Sequence, residues 1–240
     1  MKKIRTLIFC IIGALFITLL GGCSNFDDTP ESNAALDVYI EAIKKSLERK
    51  SGSARITVTS SDDIIEKTES ETEIVFQYTI NDEGLVSFDR EDFTNGEITA
   101  QYRADGYKVE SFDFETNQWV DCTDDNKAYL SEKTNSITTM QLFRVDNNLK
   151  INKRFLSTAS QSDWENGGTC IKIVLDDEQI SKVMDLYEAK GYIRKSAGQT
   201  REYYINSDGI VTMIKINTTQ QIQHNSEFGN VVNSMTITYE

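Results

Sequence analysis

Between Ala34 and Lys50 the apolar residues Leu36, Ile40, Ile43 and Leu47 recur at spacings of four, three and four, which places them on one helical face. Ser32 or Asn33 can cap the start, Ser51-Gly52 marks the end, and Glu41, Lys44, Lys45, Glu48 and Arg49 fall on the solvated side. The period then changes to two. Ala54, Ile56 and Val58 alternate with Arg55, Thr57 and Thr59, and Ile74, Phe76, Tyr78 and Ile80 alternate with Val75, Gln77 and Thr79, the signature of half-buried strands. Asn81-Asp82-Glu83-Gly84, Asn95-Gly96 and Asp105-Gly106 punctuate the region about every ten residues, so the strands near 85–90, 97–103, 106–114 and 117–122 form an antiparallel meander.

Further along, Ile137, Met140 and Phe143 at helical spacing predict a short helix over 135–145. Strands resume near 152–158 and 169–175. Asp176-Asp177-Glu178 places acids at a helix start, and Ile180, Val183, Met184 and Tyr187 supply an apolar stripe ending at Gly191. A hairpin, 201–206 and 210–217 across Ser207-Asp208-Gly209, and a last strand over 231–239 complete the chain. The polar stretch Thr218–Asn225 reads as a loop. The expected fold is α+β: one antiparallel sheet of about eleven strands with two or three amphipathic helices. A sheet of that size curls or splits, and helices that cover its concave side incompletely leave an apolar pocket.

The first 23 residues, MKKIRTLIFCIIGALFITLLGGC, join a basic start to an apolar run from Leu7 to Leu20. This is a secretory signal, and 14 residues fall short of the roughly 20 that a helix needs to span a bilayer. Leu20-Gly21-Gly22-Cys23 resembles the lipobox of bacterial lipoproteins. That resemblance implies cleavage after residue 22 and a diacylglyceryl group on Cys23, whose acyl chains, at about 0.8 kcal/mol per buried CH₂, give stable anchoring. The alternative is an ordinary secretory signal cleaved near Gly22 and a soluble product. With the signal go three basic side chains, leaving 22 basic against 38 acidic and a charge of −16. Residues 24–33, SNFDDTPESN, carry three acids and the one proline, and read as a short solvated tether; the domain is 34–240. The implied location is the outer face of the cytoplasmic membrane, and a short tether suits a Gram-positive host.

Composition narrows the chemistry. The 25 basic and 38 acidic residues give −13 for the whole chain, with no basic cluster, which excludes a nucleic-acid partner. Hydrophobic residues at 39% and charged residues at 26% describe a folding chain. No G-x-S-x-G, S-x-x-K, H-E-x-x-H or P-loop occurs, and His224, the one histidine, lies in a polar stretch, so the expectation is a protein without catalytic residues, metal or cofactor. The acidic pairs Asp62-Asp63, Asp124-Asp125 and Asp176-Asp177 lack EF-hand spacing and read as turns or helix starts. Cys10 leaves with the signal and Cys23 is lipidated, so Cys122 and Cys170 remain. In an oxidising compartment they can pair, closing a loop for about 4 kcal/mol, or Cys170 can be a small buried apolar residue in its strand.

The lipobox cysteine, acidic tether, amphipathic helix, long meander and C-terminal hairpins together resemble the half-barrel lipid carriers of the bacterial envelope, a class that includes LolA and the mycobacterial lipid-binding lipoproteins. The local echoes are Tyr102-Arg103-Ala104-Asp105-Gly106-Tyr107 followed by Asn117-Gln118-Trp119-Val120, and Tyr203-Tyr204-Ile205-Asn206-Ser207-Asp208-Gly209-Ile210. The resemblance implies a concave sheet holding acyl chains beneath a helical lid. Candidate ligand-facing residues are Ile56, Val58, Ile74, Phe76, Tyr78, Tyr102, Tyr107, Val109 and Trp119 from strands, with Met140 and Met184 from helices. Central strands rich in Thr, Gln and Asn depart from the pattern and imply a small or self-filled cavity. Two classes of function emerge: a membrane-anchored carrier of a lipid or other hydrophobic ligand, or a tethered interaction module with a filled core that engages an envelope protein.

Overall fold

A computed structural model describes residues 26–64, 69–126, 155–178 and 193–240. A helix, α1 (Pro30–Leu47), precedes six strands: β1 (Ser51–Asp62), β2 (Glu69–Ile80), β3 (Val86–Thr94), β4 (Glu97–Asp105), β5 (Val109–Asp113) and β6 (Gln118–Asp121). A single helical turn, α2 (Thr123–Asn126), comes after β6. Five more strands complete the described residues: β7 (Leu156–Trp164), β8 (Gly168–Leu175), β9 (Ile193–Ile205), β10 (Val211–His224) and β11 (Glu227–Tyr239). They form one sheet in the order β6-β5-β4-β3-β2-β1-β11-β10-β9-β8-β7. Two antiparallel meanders are thus zipped together by their innermost strands, from Ala54 opposite Tyr239 to Asp62 opposite Val231. The sheet is an open half-barrel with β6 and β7 at its edges, as the sequence implies.

Turn chemistry explains the meander. Asn95 and Gly96 both have positive φ, 49° and 82°, the conformation a two-residue hairpin needs to follow strand twist. Asn81 folds the β2–β3 connection, its side-chain oxygen accepting from the backbone N–H groups of Glu83 and Leu85.

The helix defines the inner face of the sheet. Ala35, Leu36, Tyr39, Ala42, Ile43 and Ser46 are buried along one stripe, and α1 packs on β7, β8 and β10. Tyr39 meets Tyr203 of β9 with ring centroids 4.7 Å apart at 55°. Two serines fix the helix to the sheet from both ends. Ser32 Oγ donates to the Ala159 carbonyl of β7 at 3.0 Å. Ser46 Oγ donates to the Ala42 carbonyl at 2.7 Å and accepts from the Val211 N–H of β10 at 2.9 Å.

Several local expectations need correction. The helix begins at Pro30, and its cap is Thr29, whose Oγ1 accepts from the Ser32 N–H at 3.2 Å; Ser32 is drawn into the core instead. It ends at Leu47, and Ser51-Gly52 opens β1. The segment before the helix is not a free tether from Phe26 onward: Phe26 packs against the core, and the Asp27 N–H donates to the Ser157 carbonyl of edge strand β7 at 2.8 Å. An edge strand presents unpaired carbonyls, and this one captures the entering chain. The stretch Thr218–His224 is strand, because β11 runs long enough to pair with it up to Glu227 opposite His224. Among the described residues α1 is the one helix longer than a turn; the expected helices over 135–145 and 180–187 lie outside the described residues.

Ser46→Ala removes the acceptor of the buried Val211 N–H, and we expect a loss of about 1–3 kcal/mol in a urea titration. A variant as stable as the parent would show that this bond does not hold α1 to β10.

Candidate functional site

Strand register sorts every side chain to one of two faces. On the face that α1 covers, Tyr203, Ile214, Ile237, Ile56 and Ile74 form one row across β9, β10, β11, β1 and β2. The next row toward the β10–β11 turn is Arg201, Ile216, Met235, Val58 and Thr72. Beyond it comes a row without one apolar member: Gln199, Thr218, Asn233, Ser60 and Ser70, on the same five adjacent strands. Past that belt a small apolar cluster of Ile64, Ile222 and Val231 closes the end of the sheet. The inner face is therefore a broad apolar floor, bordered by a polar belt, with a second apolar patch outside it.

Most of the belt is buried. Gln199, Thr218, Ser60 and the neighbouring Gln220 are all less than one-tenth exposed, and Arg201 is fully enclosed. Arg201 Nε donates to Gln199 Oε1 at 2.9 Å, and Gln199 Nε2 donates to Thr218 Oγ1 at 2.9 Å. Gln220 Oε1 is buried with no hydrogen-bond partner among the described residues. Taking a guanidinium and amides out of water costs several kcal/mol unless they are hydrogen-bonded. These residues are legible as inward-facing, since 197-199-201-203-205 and 214-216-218-220-222 each keep one strand parity; their polarity conceals their burial.

Of the candidates read from the sequence, the register gathers seven on the inner face. Ile56, Phe76, Tyr78 and Val109 are buried there, whereas Val58, Ile74 and Tyr102 face the same way but are half-buried. Two candidates fall elsewhere. Tyr107 sits in the β4–β5 turn and is 70% exposed. Trp119 lies on the outer face: it pairs with Phe112, 5.4 Å between ring centroids, and the Arg103 guanidinium covers its ring at 4.3 Å. Inward-facing Tyr102 is opposite Ser111, so Phe112 and its partner Trp119 take the opposite parity. Met140, Met184 and Cys23 lie outside the described residues.

The suggested disulfide is absent: Cys122 and Cys170 are free thiols. Cys122 packs against the inner core, while Cys170, opposite Tyr204 on β9, is on the outer face, so the sheet itself separates them. Burial pushes the Cys170 thiol up, and burial together with the hydrogen bond to Glu202 pushes the Tyr204 phenol up further.

The outer face of β4–β6 is a charged lattice. Arg103 Nε donates to Glu110 at 2.7 Å and Lys108 to the same carboxylate at 2.7 Å. These two cations, Lys108 first, hold the Glu110 carboxyl below its ordinary value, and the Thr123 backbone N–H does the same for Asp121. A cleft of about 530 Å³ opens beside them, lined by Tyr107, Lys108, Asp121, Thr123 and Asp125 among others. Its acids are spread around an open surface, and no group of three or more metal-binding side chains occurs among the described residues.

Two outcomes test this placement. Because Cys170 is held protonated by burial, its alkylation in the folded chain at pH 8 is expected to lag that in urea; equal rates would mean an accessible thiol. Because the folded Glu110 value is lowered from 4.5, its stabilisation is present above that pH and lost as the pH falls through the folded value. Trp119 fluorescence should therefore change in acid below about pH 4.5 through Arg103, and Glu110→Gln should remove that step; a step unchanged by the substitution would contradict the assignment.

No family model matches the sequence, and no curated protein matches it. Solved structures similar to the chain include a LolA superfamily protein from Nitrosomonas europaea, 6% identical over 88% of this chain and 92% of that one, with a TM-score of 0.29. A DUF1329 family protein from Desulfovibrio piger is 7% identical over 88% and 94%, with a TM-score of 0.29. The S-type phycobiliprotein lyase CPES from Guillardia theta is 9% identical over 88% and 98%, with a TM-score of 0.28. The first of these bears the family name that the sequence layout resembles; at such scores the likeness carries no inference about a ligand.

Proposed function

We propose that the protein binds an amphiphilic, lipid-like ligand on the inner face of the half-barrel, without catalysis, while anchored through a diacylglyceryl group on Cys23 at the outer face of the cytoplasmic membrane. The observation that carries the reading is the division of the inner face. Val58 and Ile74 remain half-buried although they share rows with the buried Met235 and Ile237, and α1 makes its main contacts with β7, β8 and β10, so among the described residues the apolar floor is least covered at those two positions. Directly beside them runs the polar belt of Ser60, Asn233, Thr218 and Gln199. A hydrocarbon tail lying on Val58, Ile74 and Met235 gains about 25 cal/mol per Å² of apolar area removed from water. Its polar group then falls beside donors and acceptors of the belt, where it keeps hydrogen bonds that a wholly apolar pocket would deny it.

The anchoring half of the reading rests on the lipobox residues Leu20-Gly21-Gly22-Cys23. No described helix is long and apolar enough to cross a membrane, and lipid on Cys23 would supply the attachment.

Native mass spectrometry of the chain from Ser24 onward, purified without detergent, with solvent extraction afterwards, tests the ligand. We expect a stoichiometric adduct extracting as an amphiphile, reduced at least about tenfold in occupancy by Val58→Arg or Ile74→Arg, since a cation on the tail path costs well over about 1.4 kcal/mol. Those positions are half-buried, and circular dichroism separates lost binding from lost fold. An apo mass that takes up no offered lipid would overturn the reading in favour of a tethered module that engages an envelope protein.

A further inference from the structure

The hydrogen bonds of the polar belt run in one direction. Arg201 Nε donates to Gln199 Oε1 and Gln199 Nε2 donates to Thr218 Oγ1, each at 2.9 Å. A hydroxyl that accepts still has its own proton to give, so the relay that starts on β9 ends on β10 with a donor, the Thr218 O–H. Two residues further along the same strand and on the same face is Gln220, 3% exposed, whose Oε1 is buried with no hydrogen-bond partner among the described residues. A donor and an acceptor thus stand about 7 Å apart along β10, measured between Cα atoms, with no hydrogen bond joining them.

Both lie within side-chain reach of Asn233 on β11, which is directly opposite Thr218 and diagonal to Gln220; Ser60 on β1 is opposite Asn233 in turn. Asn233 is half-buried and Ser60 buried, and neither makes a side-chain hydrogen bond among the described residues. A buried acceptor left without a donor destabilises the fold that carries it, and methionine, of similar length, fills such a position without that cost.

Whatever completes the belt must give a proton to Gln220 and take one from Thr218. A carboxylate or phosphate only accepts, an ammonium only donates, and an ester has no proton to give; a hydroxyl does both. Charge points the same way. The belt lies between the enclosed Arg201 guanidinium, in the row on its floor side, and the Asp62 carboxylate, level with Gln220 through Val231 on its far side. The first opposes a cation and the second an anion.

We propose that the polar group of the ligand is neutral and hydroxylated, as the glycerol of a monoacylglycerol is, with one hydroxyl accepting from Thr218 and donating to Gln220 Oε1. The inference rests on the inner-face ligand reading and adds to it the chemistry of the head. The tail then runs from the belt over Val58 and Ile74, and a second hydroxyl falls beside Asn233 and Ser60.

Probes of one tail length test the head. The chain from Ser24 onward, which retains every described residue, is stripped of bound lipid and titrated by native mass spectrometry with 1-palmitoylglycerol, methyl palmitate, palmitate or hexadecylamine. We expect 1-palmitoylglycerol to bind at least about tenfold more tightly than each of the others, which lack the donor, the acceptor or neutrality. Gln220→Met, close in volume and without the acceptor, is expected to cut the preference over methyl palmitate to less than about threefold, with circular dichroism reporting the fold. The comparison of probes on the parent chain holds whether or not that variant folds. Equal affinity for all four, or a lead for palmitate or hexadecylamine, would overturn the hydroxylated head and leave a ligand on the inner face. A preference that Gln220→Met does not change would also overturn it, assigning the gap beside Gln220 to an ordered water. Uptake of none of the four overturns it too, and the adduct co-purified from cells then tells whether the inner-face reading falls with it.

Discussion

Everything in this fold depends on the pairing of the first strand with the last. Each meander alone is a run of hairpins whose register local turn chemistry can set, and only the second, β7–β11, carries the surface that α1 covers. Antiparallel pairing of β1 with β11 over nine residue pairs aligns Ile56 with Ile237 and Ala54 with Tyr239, and so makes two half-sheets into one continuous inner face. These contacts join residues some 180 positions apart, so their loop-closure cost is met only once both meanders exist. The helix, which precedes β1, ties the two halves further: its buried Tyr39 and Ser46 reach β9 and β10, strands that belong to the far half of the chain.

The same constraint creates the candidate site. Because the central strands β10, β11 and β1 are long and in unbroken register with one another, a polar residue at the inward parity of one lies beside polar residues at the inward parity of the next. The belt of Gln199, Thr218, Asn233, Ser60 and Ser70 is a product of that alignment, and no pair of them is close in sequence across the β11–β1 junction. A sheet selected only for stability would fill that row with valine or isoleucine, since replacing buried polar groups together by apolar ones of similar shape is nearly neutral or favourable. The apolar floor, the polar belt beside it and the small apolar cluster of Ile64, Ile222 and Val231 lie in that order along the strands, from the core toward the β10–β11 turn.

Much of this is legible in the residues. Period-two alternation and the Asn-Gly and Asp-Gly turns locate most of the strands to within a few residues, and the 36-40-43-47 stripe locates the helix. What escapes has physical reasons. The Thr218–His224 extension of β10 is largely polar on both faces, so its strand character comes from its partner β11 and not from its own composition. The chemistry of Trp119 points to the ligand side, but parity, not chemistry, decides a face, and the short β5–β6 pairing turns it outward beneath Arg103. The supposed tether is held from Phe26 because an edge-strand carbonyl needs a donor, a requirement that no local pattern reveals.

The most direct test of the central claim, that the inner face holds the ligand, is methyl nuclear magnetic resonance of the mature chain with a fatty acid carrying a paramagnetic doxyl group on its tail. A paramagnetic centre broadens methyl signals within about 15–20 Å, only a few strand spacings, so faces and sheet regions are resolved by comparison. The account predicts strongest broadening at the half-buried Val58 and Ile74, then at the buried Ile216 and Met235 beside them, and least at Val174 on the outer face of β8, four strands from β1. Broadening centred on the outer face, or none at saturating ligand, would contradict it.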